Sequence, residues 1–244
     1  MKKTLIVALI AAAFAPALAM AEAGDIVVRL RATHVSPDVD SKLGSQTAAT
    51  YGGAAVANAL YGAGGTNAQL EVDNNTIPEL DFSYYITKNI AAELILAIGT
   101  SHDVKINTLG AGAAVTNTAL GSVNLLPPTL TAQWHFLPDQ MFDPYVGAGL
   151  TYSRSLDRNL TAQTAVGPRS IHIERNSFGP ALQAGFDVNL QDKWLINFDV
   201  KKVWLSTDVT LDTQGALGTK TGYQKIDELD LNPWIISVGF GKKF

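Results

Sequence analysis

Eight stretches of this chain alternate apolar and polar residues with period two, the spacing at which a β-strand turns successive side chains to opposite faces. The last stretch is the plainest. Trp234, Ile236, Val238, Phe240 and Phe244 fall on one face and Ser237, Gly239, Gly241 and Lys243 on the other. Lys242 falls on the apolar face near its end, where its long stem can snorkel to the headgroups. Nearer the N-terminus Ile26, Val28, Leu30 and Ala32 oppose Arg29, Arg31 and Thr33, and Phe82, Tyr84 and Ile86 oppose Asp81, Ser83 and Thr87. Leu94, Leu96 and Ile98 oppose Glu93, Ala97 and Gly99; Leu130, Ala132, Trp134 and Phe136 oppose Thr129, Thr131, Gln133 and His135. Val146, Ala148, Leu150 and Tyr152 oppose Gly147, Gly149, Thr151 and Ser153. Leu182, Ala184, Phe186 and Val188 oppose Gln183, Gly185, Asp187 and Asn189, and Trp194, Ile196, Phe198 and Val200 oppose Asn197, Asp199 and Lys201. The pattern predicts an all-β fold of eight antiparallel strands.

A soluble sandwich alternates in the same way, so the aromatic spacing has to decide between water and lipid. Phe142 and Tyr152, Trp194 and Trp204, and Trp234 and Phe244 are pairs ten residues apart on the apolar parity, each bracketing one strand. Ten residues at ~3.3 Å each, tilted by about 40°, rise about 25 Å, the height of the apolar band between two aromatic girdles. A transmembrane barrel is therefore expected. The connections set its orientation: 87–89, 137–141 and 190–193 are tight turns, whereas 36–76, 103–122, 156–171 and 208–224 are long. Short turns belong to the periplasm and long loops to the exterior, which puts both termini in the periplasm and makes Phe244 the terminal aromatic that closes the barrel.

Composition adds an address. The positive start Met1-Lys2-Lys3, the apolar run from Leu5 to Leu18 and the small-x-small Ala19-Met20-Ala21 form a secretory signal peptide over residues 1–21, with the mature barrel domain at 22–244. Leu5 to Ala21 carries Pro16 and is short for a membrane span, so a retained anchor is the lesser reading. No later run reaches the ~18 to 20 uncharged apolar residues of a membrane helix, yet the chain is 47% hydrophobic and only 16% charged. Together these features predict the outer membrane of a Gram-negative bacterium, with its lipid and the barrel-assembly machinery as partners. Cysteine is absent, and a net charge of -4 without a basic run argues against nucleic acid.

Four stretches resemble the OmpW family of outer-membrane proteins, and the resemblance covers nearly the whole mature chain. They are Arg31-Ala32-Thr33-His34-Val35-Ser36-Pro37, Leu125-Leu126-Pro127-Pro128-Thr129-Leu130, Pro144-Tyr145-Val146-Gly147-Ala148-Gly149-Leu150 and Asn232-Pro233-Trp234-Ile235-Ile236-Ser237-Val238-Gly239-Phe240-Gly241. The resemblance implies an eight-stranded barrel associated with uptake of small, mostly hydrophobic molecules. The first loop is unusually rich in Gly and Ala, so loop details are not carried over from the family.

Eight strands enclose a lumen that side chains nearly fill. Arg29, Arg31, Glu93, Gln133, His135, Asp187, Asp199 and Lys201 carry the inward parity, and their signs allow a polar network that satisfies itself and blocks an apolar solute on the axis. Pro127 and Pro128, near the outer end of the fourth strand, cannot donate ladder hydrogen bonds. Either they end the ladder where a loop begins or they weaken the wall enough for lateral exit, and the family resemblance favours the exit. The apolar first loop, with Tyr51, Val56, Leu60 and Tyr61, either roofs a funnel or is a flexible Gly/Ala loop. Two other functions compete: a structural or receptor barrel that conducts nothing, and a barrel enzyme. Ser101-His102-Asp103 is the nearest thing to a catalytic set, but adjacent strand residues point to opposite faces. No enzyme, cofactor or metal site is expected.

Overall fold

The computed structural model describes residues 22–97, 100–108, 118–164, 166–215 and 220–244. The signal peptide, Ile98 and Gly99 lie outside the described residues. In chain order the elements are β1 (Ile26–Ser36), α1 (Leu43–Tyr51), α2 (Ala54–Tyr61), β2 (Ala68–Val72), β3 (Asn75–Tyr85), β4 (Ile90–Ala97), β5 (Thr100–Thr108), β6 (Thr118–Leu126) and β7 (Thr129–His135). They continue as β8 (Phe142–Ser155), β9 (Asn159–Thr164), β10 (Gly167–Ile173), β11 (Asn176–Asn189), β12 (Trp194–Val203), β13 (Ser206–Asp212), β14 (Tyr223–Asp230) and β15 (Trp234–Lys243).

Eight of these strands close on themselves, each antiparallel to the next, in the order β1-β3-β4-β7-β8-β11-β12-β15 and back to β1. Closure leaves no strand edge to satisfy in lipid, which is what a sheet needs to cross a bilayer. The first and last strands are pinned at their ends by Phe244 N donating to the Ile26 carbonyl at 2.8 Å. Side-chain parity follows the sequence: Leu30, Leu94, Trp134, Val146, Leu182, Ile196 and Phe240 are exposed, while Arg29, Glu93, Gln133, Asp187 and Asp199 are buried. Such an apolar exterior would aggregate in water and is at home only in lipid.

Glycine on the inner face has a packing reason. A Cβ on Gly241 would come within 2.8 Å of Arg29 Cγ and one on Gly239 within 2.9 Å of Arg31 Cγ, so the two arginine stems lie across bare backbone of β15.

The long connections are not plain loops. β2, β5 and β6 extend the barrel sheet upward, β9, β10, β13 and β14 form a second sheet in the order β14-β13-β10-β9, and α1 and α2 pack beside them. This crown has its own apolar core, in which Leu43, Leu60, Leu70, Ile106, Leu160, Ile171, Val209, Leu211 and Ile226 are buried. The stretch expected to be a Gly/Ala loop is a helical hairpin, because Ala is the best helix former and the break falls where φ turns positive, at Gly52 (95°) and Gly53 (128°).

Candidate functional site

The lumen is divided into a polar lower half and an apolar upper half. In the lower half Arg29 Nη2 binds Asp187 Oδ2 at 2.6 Å and its Nη1 donates to Ser83 Oγ at 2.6 Å. Arg31 reaches Glu79 at 2.6 Å, Asp81 at 2.7 Å and, through Nη1, Asn197 Oδ1 at 3.1 Å. Glu93 stands between the arginines, 3.6 Å from Arg29 and 3.8 Å from Arg31, and its Oε2 accepts from Gln133 and Gln183, both at 2.9 Å. Tyr145 donates to Asp199 Oδ2 at 2.9 Å, and Lys201 Nζ lies 3.7 Å from Asp199 Oδ1. Nearest the periplasmic turns His135 Nδ1 donates to Asp143 at 2.7 Å, with its ring 5.0 Å from those of Tyr85 and Tyr145.

All eight inward residues singled out from the sequence, Arg29, Arg31, Glu93, Gln133, His135, Asp187, Asp199 and Lys201, are buried in this lumen. Sequence reasoning missed Glu79, Tyr85, Asp143 and Tyr145. Counting by twos from Asp81 would have found Glu79 and Tyr85, and counting back from Gly147 would have found Tyr145 and Asp143; the prolines at 78 and 144 interrupt the apparent alternation there.

Above Glu79 and Lys201 the lumen opens into a cavity of about 1090 Å³, open solvent included. Its walls include Val35, Ile77, Ile95, Val123, Leu205 and Leu229, and Pro127 lines it directly. Beside Pro127, Leu96 and Ala97 pair with β3 but, among the described residues, with nothing in β7. Among the described residues the β4–β7 ladder runs from Ile90–Trp134 to Ile95–Thr129, and pairing resumes as β5–β6 at Thr100–Leu125. The two prolines act on opposite neighbours. The Pro128 carbonyl accepts from Tyr152 N at 3.0 Å, so Pro128 faces β8 and its missing donor is lost to that strand. Pro127 faces the other way, towards β4 and β5. Pro78, Pro144 and Pro180 sit inside the ladder to one neighbour, paired with Ala32, Phe186 and Leu150, and just past the end of the ladder to the other, where the Pro144 and Pro180 carbonyls accept from Phe136 N and Trp204 N, both at 3.0 Å.

The outer aromatic positions divide by height. Phe142, Trp194 and Phe244 are exposed near the short turns, while Trp204 and Trp234 are exposed and Tyr152 half-buried near the crown. Lysines accompany them at both levels, with Lys242 Nζ 5.0 Å from the Trp194 ring and Lys202 Nζ 4.9 Å from the Trp234 ring. Ser101, His102 and Asp103 do not converge. His102 Nδ1 binds the Asp73 carbonyl at 2.9 Å, and Asp103 accepts from Ser122 Oγ at 2.6 Å.

A model of the OmpW family matches residues 22–244. The chain belongs to the OmpW family. It is similar to the uncharacterized outer-membrane protein y4mB of Sinorhizobium fredii, 41% identical over 177 residues that cover 72% of this chain and 69% of y4mB. It is 34% identical to outer membrane protein W of Escherichia coli over 196 residues, 79% of this chain and 85% of that one. The dibenzothiophene metabolism operon protein PahQ of Pseudomonas aeruginosa is 27% identical over 70% of this chain and 72% of its own. Among solved structures, the outer membrane protein OprG of Pseudomonas aeruginosa superposes with a TM-score of 0.72 at 28% identity, covering 91% of this chain and 97% of OprG. An OmpW-type barrel of this kind resides in the outer membrane of Gram-negative bacteria, with lipid around its apolar exterior.

Proposed function

We propose that this barrel takes up small, mostly hydrophobic molecules from outside and releases them sideways into the bilayer beside Pro127. The observation that carries this reading is the apolar cavity seated on a charged floor and lined by Pro127 where the β4–β7 ladder ends. An apolar solute moving down the axis would have to displace hydrogen-bonded, buried ions, and stripping such groups of their partners is far more unfavourable than parting two strands at an incomplete ladder. The relation to PahQ, named for a dibenzothiophene metabolism operon, supports a hydrophobic solute. A non-enzymatic role is supported by the separation of Ser101, His102 and Asp103, each with another partner or orientation.

The remaining roles follow from position. Residues 1–21 serve as the export leader, a reading supported by a family match that starts at Glu22. Phe142, Tyr152, Trp194, Trp204, Trp234 and Phe244 set the depth in the bilayer as two girdles, and exposed Phe244 at the closing strand is the feature offered to the barrel-assembly machinery.

The test replaces Pro127 and Pro128 together with Thr. The two new donors, one towards β5 and one towards β8, should tighten the wall without loss of barrel stability. Uptake of a hydrophobic tracer into proteoliposomes, at matched levels of folded protein, should slow several-fold. Unchanged uptake would remove the lateral route.

A further inference from the structure

The cavity floor holds a hydrogen-bond donor and an acceptor that the protein leaves uncommitted. Lys201 is 1% exposed, yet among the described residues its Nζ has no hydrogen-bond partner, only the ion pair with Asp199 Oδ1 at 3.7 Å. Glu79 is 3% exposed, and all of its hydrogen bonds, from Arg31 Nε at 2.8 Å and Ser237 Oγ at 3.4 Å, fall on Oε1, leaving Oε2 without one among the described residues. Both residues line the cavity, and no ion pair joins them directly. Both atoms open on the cavity, and an apolar ligand that displaced solvent there without replacing its contacts would leave an ammonium and a carboxylate oxygen unmet, which is unfavourable. A ligand oxygen that accepts from one and donates to the other relieves both.

The sign of the surroundings narrows the ligand. Lys201 Nζ already has Asp199 at 3.7 Å, and Glu79 lines the floor with it, so acidic side chains outnumber the ammonium at this point. A carboxylate ligand would add to that excess at short range and in a poorly screened setting. A hydrocarbon would fill the apolar walls and leave both polar groups unmet. A neutral hydroxyl satisfies Lys201 Nζ as an acceptor and Glu79 Oε2 as a donor, and brings no charge.

We propose that Lys201 and Glu79 form a recognition point for the hydroxyl of an aliphatic alcohol, whose tail occupies the cavity among Val203, Leu205 and their neighbours. Alcohols of medium chain length are then preferred over both the matching alkane and the matching fatty acid. This assignment rests on the proposed role of the cavity in holding hydrophobic solutes, and it names which of them are selected.

The experiment uses the full barrel in lipid nanodiscs with labelled Val and Leu methyls and ¹⁵N-labelled Lys. Octane, 1-octanol and octanoate are titrated, and each affinity is expressed against the ligand's mole fraction in the bilayer so that partitioning cancels. The Val203 and Leu205 methyls report occupancy, and the Lys201 Nζ resonance reports contact with the hydroxyl. 1-Octanol should bind about tenfold more tightly than octane, the worth of one hydrogen bond to a charged group, and should alone shift Lys201. The paired change Lys201→Met with Asp199→Asn, which removes one charge of each sign, should cut octanol's advantage over octane to what the hydrogen bond donated to Glu79 alone supplies. If that variant does not fold, the ranking in the unaltered protein decides. Equal binding of octane and octanol there, or tightest binding of octanoate, overturns the hydroxyl site while leaving the hydrophobic cavity standing. If none of the three moves the Val203 and Leu205 methyls, the cavity's role as a solute site falls, and the hydroxyl site with it.

Discussion

Barrel and crown are built from the same two-residue alternation with its sense reversed. One continuous run, β12 into β13, contains the reversal. Its inward residues are Asn197, Asp199 and Lys201, then Val203, Leu205, Thr207, Val209 and Leu211, all buried and, Thr207 apart, apolar from Val203 on. Its outward residues are Ile196, Phe198 and Val200, then Lys202 at the girdle and, beyond Trp204, Ser206, Asp208 and Thr210. The inside turns from charged to apolar at Lys201–Val203, and the outside turns from apolar to polar at Trp204. A sheet in lipid can expose its apolar face and needs its polar groups satisfied within, while a sheet in water must bury the apolar face. The switch therefore marks where the surrounding solvent changes from hydrocarbon to water. It also explains the cavity, which lies where the inner face has lost its charges and the crown core has not yet closed over it.

The sharpest way to break the barrel half is to unbalance its interior. Glu93→Ala takes the carboxylate away from Arg29 and Arg31 and strands the amides of Gln133 and Gln183, so it should lower barrel stability by about 3 to 5 kcal/mol, the usual effect of removing one partner of a buried ionic group. The check is the midpoint of heat-modifiable gel migration; a change below about 1 kcal/mol would mean that the network is solvated.

This network was legible in outline because parity survives wherever a strand is uninterrupted. Arg29, Glu93 and Asp199 could be placed inside from spacing alone. Who pairs with whom was not legible, since Arg29 and Asp187 are 158 residues apart and meet only through barrel closure. The crown was read as loops for a related reason. Leu160 and Ala162, Ile171 and Ile173, and Val209 and Leu211 alternate over too few residues to stand out, and their apolar side faces inward, against the rule that identified the barrel. The end of the β4–β7 ladder beside Pro127 was visible as two missing donors, but their separation onto opposite neighbours needed the Pro128–Tyr152 bond.

The crown half should fail locally. Leu211→Ala removes a side chain that is 1% exposed from the crown core and should destabilise that unit by about 2 to 5 kcal/mol. Amide exchange in β10 and β13 should accelerate while the barrel's heat-modifiable midpoint stays in place. A fall in the barrel midpoint of the same size would show that the two regions unfold as one and would end the comparison.

An identical substitution on the two sides of Trp204 tests the position of the switch. Ile196→Arg, on the outward face within the apolar band, should lower stability by about 2 to 4 kcal/mol near the midplane. Ser206→Arg, on the same face but exposed beyond Trp204, should change it by no more than about 0.5 kcal/mol. Equal penalties in a lipid-refolding titration would move the bilayer boundary into the crown.

The smallest effect is expected from acid and lies in the crown alone. Burial pushes the Asp227 carboxyl above its ordinary value, although the Ser41 hydroxyl at 2.5 Å and the Lys42 amide at 2.9 Å both donate to it and partly oppose the shift. Ser41 also accepts from Leu70 N at 2.8 Å, so this carboxyl ties the start of α1 to β14 and β2. The folded crown thus binds the Asp227 proton more tightly than the unfolded chain does, and the sign of the linkage follows: its stability is greatest where the group is protonated in both states, below about pH 4. It falls as pH rises from there through the raised value and is level above it. Amide exchange of α1 should accordingly speed up modestly across that window and then stop changing. Asp227→Asn, which keeps a side-chain acceptor but cannot ionise, should flatten the profile. A variant profile that still rises with the parent's slope would show that another group sets the acid response, and that the Ser41–Asp227 contact only positions the helix.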